Sequence, residues 1–256
     1  TLLASSAASD VYKRQSLLNN LLSRQDTWKG HQYHLSKNSI STGNDHIDKF
    51  LLGGWPLSAI TEVSARQNGI GELSLLLPVL KHYTNKGKLC IWLDPPYEPY
   101  APCLADAEIL LDKILIVRSK NIKEWLWAAE QIIQGNALLF AWTHQISPNY
   151  TALRKLQLAA TESLSPAFLF RESSSIKIPS PALLRIEIEG MKKNIMSLLI
   201  HKFKGKIPGT RLNINISDKF LERTLLEKLP VNIYPPKQYK GTFSLPATVK
   251  SHHLNA

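Results

Sequence analysis

Cysteine is nearly absent: Cys90 and Cys103 are the only two in 256 residues, one inside an apolar run and one in a proline-rich stretch. Such a pair forms no disulfide framework and fits a reducing compartment. Acidic residues are scarce too, with 20 Asp and Glu against 31 Lys and Arg. No run of eighteen apolar residues occurs, so a spanning helix and a membrane location are not expected. These absences predict a cytoplasmic protein, in which the sequon Asn149-Tyr150-Thr151 is a chance match. His31 and His34 have helix-like spacing but no neighbouring Cys or clustered carboxylates, so neither a metal site nor another cofactor is expected.

What is present suffices for one full α/β core, since 44% of the residues are apolar. The net charge of +11 has two readings. Clustered Lys and Arg release counterions from a polyanion such as single-stranded DNA, whereas scattered ones only keep a surface soluble. Residues 1–15 end in Asp10-Val11-Tyr12-Lys13-Arg14-Gln15, which looks like a translated sequencing-adaptor end, and they are set aside from fold reasoning.

Residues 16–28 place Leu17, Leu18, Leu21 and Leu22 on one helical stripe, which predicts a short N-terminal amphipathic helix. A polar stretch runs to about Asp45, then a turn around Gly53-Gly54 leads into the strand-like Ile60-Thr61-Glu62-Val63. Leu73 to Tyr83 reads as a helix burying Leu76, Leu77, Leu80 and Tyr83, with Pro78 expected to kink or shorten it. The runs 89–93, 114–117 and 137–142 are apolar throughout, as in parallel strands covered on both faces. Helices over 121–134 and 151–163 alternate with them, and 167–170 is a further strand. From Ala182 onward, 183–188, 195–203 and 211–216 read as strands joined by short turns, an antiparallel extension. Ser217 or Asp218 caps a predicted last helix to about Lys228, before an irregular tail.

A strand, a Gly-containing loop and a helix are the parts of a phosphate-binding loop, in which backbone amides cradle phosphates, a Lys reaches the β and γ groups and a Ser or Thr holds magnesium. Here Gly69 and Gly71 supply the turn, but Glu72 stands where the Lys belongs and Leu73 where the hydroxyl belongs. Trp142 ends the strand at which an acidic magnesium organiser is expected. These five residues predict a degenerate loop that binds no nucleotide.

At these residues the chain resembles the RecA superfamily, and within it most closely the translesion-synthesis-associated ImuA family. Ser41-Thr42-Gly43, Asp48 and Gly53-Gly54-Trp55-Pro56 are similar to the RecA-type entry into the core. The stretch 69–78 resembles the altered loop of ImuA and of the division inhibitor SulA; 94–102, 127–131, 153–160, 168–171 and 179–183 extend the likeness, which spans about Leu17 to Ile216. In an active RecA the turn after the 89–94 strand carries a catalytic Glu, whereas Pro95-Pro96 stands here.

The resemblance implies a RecA-like, mostly parallel sheet flanked by helices, with residues 16–40 as N-terminal helix and linker, 41–217 as core, and 218–256 as C-terminal helix and tail. It implies a non-enzymatic accessory protein of SOS-induced mutagenic translesion synthesis. Its partners would be an ImuB-type inactive Y-family polymerase homologue, an alternative replicative-type DNA polymerase and RecA itself. A SulA-like inhibitor of the tubulin-like division protein is the alternative. By the same likeness, the leucine stripe either docks a neighbouring subunit or partner, or packs on its own domain.

Two further features stay open at this level. Lys192, Lys193, Lys202, Lys204, Lys206 and Arg211 lie on predicted strands and turns without an intervening acid, which suits either a DNA or partner contact or the protection of a sheet edge. Trp125 joins the buried stripe of its helix, and Trp127 faces elsewhere, as core or as partner contact.

Overall fold

The computed structural model describes residues 16, 38–65, 69–144, 146–192, 195–203 and 206–215. All belong to the unit Thr1–Ser217, which is separate from Asp218–Ala256. The leucine stripe, Lys193, Lys204, the helix expected after Ser217 and the tail lie outside the described residues.

The described chain is α/β. A two-stranded antiparallel ladder joins β1 (Ser39–Ile40) to β2 (Trp55–Pro56), with α1 (Asp45–Phe50) between them. The main sheet holds β3 (Ile60–Ala65), β4 (Cys90–Leu93), β5 (Ile114–Val117), β6 (Leu138–Trp142), β7 (Ala167–Glu172), β8 (Leu184–Lys192), β9 (Ile195–Lys202) and β10 (Thr210–Asn215). Its order is β10-β9-β8-β3-β7-β6-β4-β5. Pairing is parallel from β8 across to β5 and antiparallel through β8, β9 and β10, as the break in pattern at Ala182 predicts. The helices are α2 (Glu72–Asn85), α3 (Ala101–Asp106), α4 (Ile122–Gln134) and α5 (Tyr150–Glu162).

Alternation divides the core into two faces. On one, Ile91 and Leu93 of β4, Leu139 and Ala141 of β6 and Leu169 of β7 pack with Trp125 and Ile133 of α4 and Leu153 and Leu156 of α5. The intervening residues form an aromatic layer. Trp92 lies 5.9 Å from Phe140, Phe140 lies 5.5 Å from Phe168, and Phe168 meets Trp55 edge-on at 5.4 Å. Helix starts follow their caps: the Asn121 side chain accepts from the Lys123 and Glu124 amides, and Asn149 accepts from Ala152.

Two expectations for α2 need correction. Pro78 does not shorten the helix, which runs through it to Asn85. Its ring is exposed and lies over Gly43, where an added Cβ would come within 2.6 Å of the Pro78 Cβ, so a residue without a side chain makes room for it. The buried face is Leu75, Leu76, Val79, Leu80 and Tyr83, whereas Leu77 is half-buried.

Candidate functional site

In an open parallel sheet, ligands bind beyond the carboxyl ends of the strands, where neighbouring connections leave in opposite directions. Among the described residues, a larger and a smaller cavity lie at that edge. The larger, about 380 Å³, lies beyond β4 and β5 and is lined by Asp94, Ser119, Lys120, Asn121, Ile122 and Ile146 among others. Asp94 is buried at positive φ, and its carboxyl group accepts the Ser119 amide at 2.7 Å and the Ser119 hydroxyl. Arg118 donates to the Pro95 carbonyl and pairs with Glu98, which fastens the turn after Asp94. Asp94 thus has a structural partner for both its oxygens, in keeping with a rigid turn.

The smaller cavity, about 50 Å³, is the place of the degenerate loop, between the ends of β3, β6 and β7 and the start of α2. Gly69 and Gly71 have φ of 81° and 102°, which favours glycine at both. A Cβ on Gly71 would also come 2.8 Å from the methyl group of Met196, so β9 lies directly against the loop. Glu72 does not extend outward. Its side chain turns back, Oε1 accepts the Gly69 amide at 2.7 Å, and the residue is 9% exposed. The second oxygen, Oε2, is buried and has no hydrogen-bond partner among the described residues. Leu73 is half-buried.

Trp142 closes the opposite wall. Its ring stacks on Phe170 at 4.4 Å and 10°, and its carbonyl accepts the Trp125 indole N–H at 3.1 Å. His144, Arg171 and Glu172 add to the polar lining; His144 Nδ1 and Arg171 Nε are likewise buried and unpartnered among the described residues. Of the five loop residues, Glu72 and Trp142 line the cavity and Gly69 joins through its hydrogen bond to Glu72, while Gly71 and Leu73 are not among the lining residues. The enclosed volume is far below the ~300 Å³ at which small-molecule sites begin, and a phosphate placed there meets a carboxyl group and an indole.

Beneath this cavity lies a polar cluster that the sequence did not announce. Glu62, in the middle of β3, is 3% exposed and receives Arg171 Nη1 at 2.9 Å and Arg185 Nε at 2.7 Å, together with the Ser180 hydroxyl. Arg185 also donates to the Ser175 carbonyl at 3.0 Å. The one signal available was a charged residue inside an apolar run, in Ile60-Thr61-Glu62-Val63 and in Phe168-Leu169-Phe170-Arg171.

Of the basic residues read as either a DNA or partner contact or edge protection, Lys192, Lys202, Lys206 and Arg211 are described. Arg211 pairs with Glu189 at 2.9 Å. Lys202 donates to the Ser180 carbonyl at 3.0 Å, and its pKa is lowered by burial and by Arg185, against the opposing pull of Glu62. The Lys206 ammonium sits 4.6 Å from the centre of the Phe50 ring. Lys192 is exposed. Trp125 is fully buried, and Trp127 is 66% exposed.

No group of three metal-ligating side chains occurs among the described residues, and no helix there is long and apolar enough to cross a membrane. Compared with family models and with curated proteins, the chain matches none.

Proposed function

We propose that this chain is a RecA-like accessory protein of damage-induced mutagenic translesion synthesis that has lost nucleotide chemistry and acts as an adaptor. Its partners in this reading are an ImuB-type inactive polymerase homologue and an alternative replicative-type DNA polymerase. The observation that carries the non-catalytic part is the Glu72 side chain folded onto the Gly69 amide, 2.7 Å away, in a cavity that the stacked Trp142 and Phe170 also line. Phosphoryl transfer is almost wholly positioning and charge stabilisation, so a carboxyl group in place of an ammonium and an indole in place of a magnesium organiser remove its means. The parallel sheet with its antiparallel extension at β8, β9 and β10 is the layout the resemblance implies.

The pathway and partners rest on the ImuA-like segments and not on the site. Lys202, Lys206 and Arg211 have partners within the chain itself, and the adaptor role does not require direct DNA contact. Affinity purification of the full chain from DNA-damaged bacterial cells, read by mass spectrometry, tests the assignment. Recovery of the polymerase homologues is the expected result. Recovery of the tubulin-like division protein in their place would transfer the chain to the SulA-like class.

A further inference from the structure

The main sheet ends differently at its two edges. At one, β10 exposes Arg211, Asn213 and Asn215 and buries Ile214. Polar and charged residues of this kind keep an edge strand from pairing with another chain. At the other, β5 reads Ile114-Leu115-Ile116-Val117, without a polar residue, and among the described residues it pairs with β4 alone. One side of its backbone therefore has no strand beside it.

Leu115 shows the effect of the missing neighbour. It stands beside Ile91 in the β4–β5 ladder, yet Ile91 is buried and Leu115 is 50% exposed, because the sheet stops there. Leu110 and Leu111, on the approach to β5, are exposed as well. No proline, bulge or charge interrupts the strand. The nearest charges stand at its ends, Asp112 and Lys113 before it and Arg118 after it.

That order of charges is self-complementary. In a two-fold antiparallel pair centred on Leu115, opposite residues share a face. Ile114 then faces Ile116 of the second copy, Lys113 faces Val117, and Asp112 faces Arg118 at both ends. Asp112 and Arg118 are exposed, and their ion pairs with Lys113 and Glu98 lie at the surface, open to a further partner. Centred one step later, between Leu115 and Ile116, the same pairing sets Lys113 against Arg118, and like charges oppose.

We propose that two copies of this chain join edge to edge through β5, antiparallel about Leu115, into one continuous sheet. One short strand per copy makes a small contact, which places the dimer among the weak and reversible ones. The inference goes beyond the translesion reading and does not depend on it; within that reading, the dimer presents each partner surface twice.

The test uses the full chain in sedimentation from micromolar to near-millimolar concentration, with thermal unfolding to confirm that each variant is folded. Wild type is expected to pass from monomer to dimer as concentration rises. Leu115→Lys sets two charges on the axis and is expected to weaken association at least about tenfold. Asp112→Arg should weaken it as well, and adding Arg118→Asp should restore it. The register is read by mild oxidation with diamide in a Cys103→Ser background, in which the remaining native Cys90 is buried. Leu115→Cys is expected to form a disulfide between copies, because this residue meets itself across the axis, whereas Lys113→Cys is not. A chain that stays monomeric throughout overturns the proposal. So does a folded Leu115→Lys variant that associates like wild type, or crosslinking at Lys113→Cys equal to that at Leu115→Cys.

Discussion

Glu62 shows how one side chain binds distant segments together. Its partners Arg171, Ser180 and Arg185 lie more than a hundred residues further along the chain, on β7, on the connection after it and on β8. Removing the carboxylate leaves two buried guanidinium groups facing each other. Breaking such a cluster from one side typically costs about 3–5 kcal/mol, and Glu62→Gln is expected to lower the free energy of urea unfolding by that order. Cys90 gives a second test at this scale. It is buried on β4, and burial pushes its thiol up to about 12 from a usual 9.0. The folded state therefore holds a proton that the unfolded state releases, so the contribution is intact below about pH 9 and is lost as pH rises towards 12. At neutral pH Cys90 is expected to resist alkylation until the chain unfolds. Rapid modification of the native protein at Cys90, mapped by peptide mass spectrometry, would contradict this.

At the scale of elements, glycine placement separates two costs. Gly54 has φ of 111°, and a Cβ there would lie 2.1 Å from the Ile40 carbonyl oxygen, against the β1–β2 ladder. Gly87, after α2, has φ of 70° with nothing within 4 Å. Gly87→Ala should cost only the left-handed backbone penalty, about 1–2 kcal/mol, whereas Gly54→Ala adds the displacement of β1 and should cost clearly more. Equal losses of melting temperature would mean that the close approach is relieved at no cost. The long elements were legible because they carry a period: 114–117 is the strand expected, and α4 differs from expectation by one residue. The six-residue α1 and α3 were not, since each buries a single apolar residue, Ile47 and Leu104. Their signals were local, Asn44 as a cap and Pro102 in a first turn. The loop residues were legible as chemistry that is missing. That Glu72 turns inward, and that Arg171 and His144 line the same cavity, depends on strand order, which no local pattern encodes.

On the whole-molecule scale, the described chain is an eight-stranded α/β scaffold whose small cavity, at the carboxyl ends of β3, β6 and β7, is lined by Glu72, Trp142, His144 and Arg171 among others. An aromatic layer runs from Trp55 through Phe168 and Phe140 to Trp92, and Phe140 also meets Trp142 and Phe170 of the cavity wall edge-on. In the proposed reading such a protein contributes surfaces rather than turnover. The central claim, loss of nucleotide chemistry on a retained scaffold, is tested most directly by ATP titration and phosphate release with magnesium, using the purified full chain. The account predicts no saturable binding and no hydrolysis above the buffer rate. Magnesium-dependent turnover that persists through successive purification steps and is lost in Gly71→Val would contradict it.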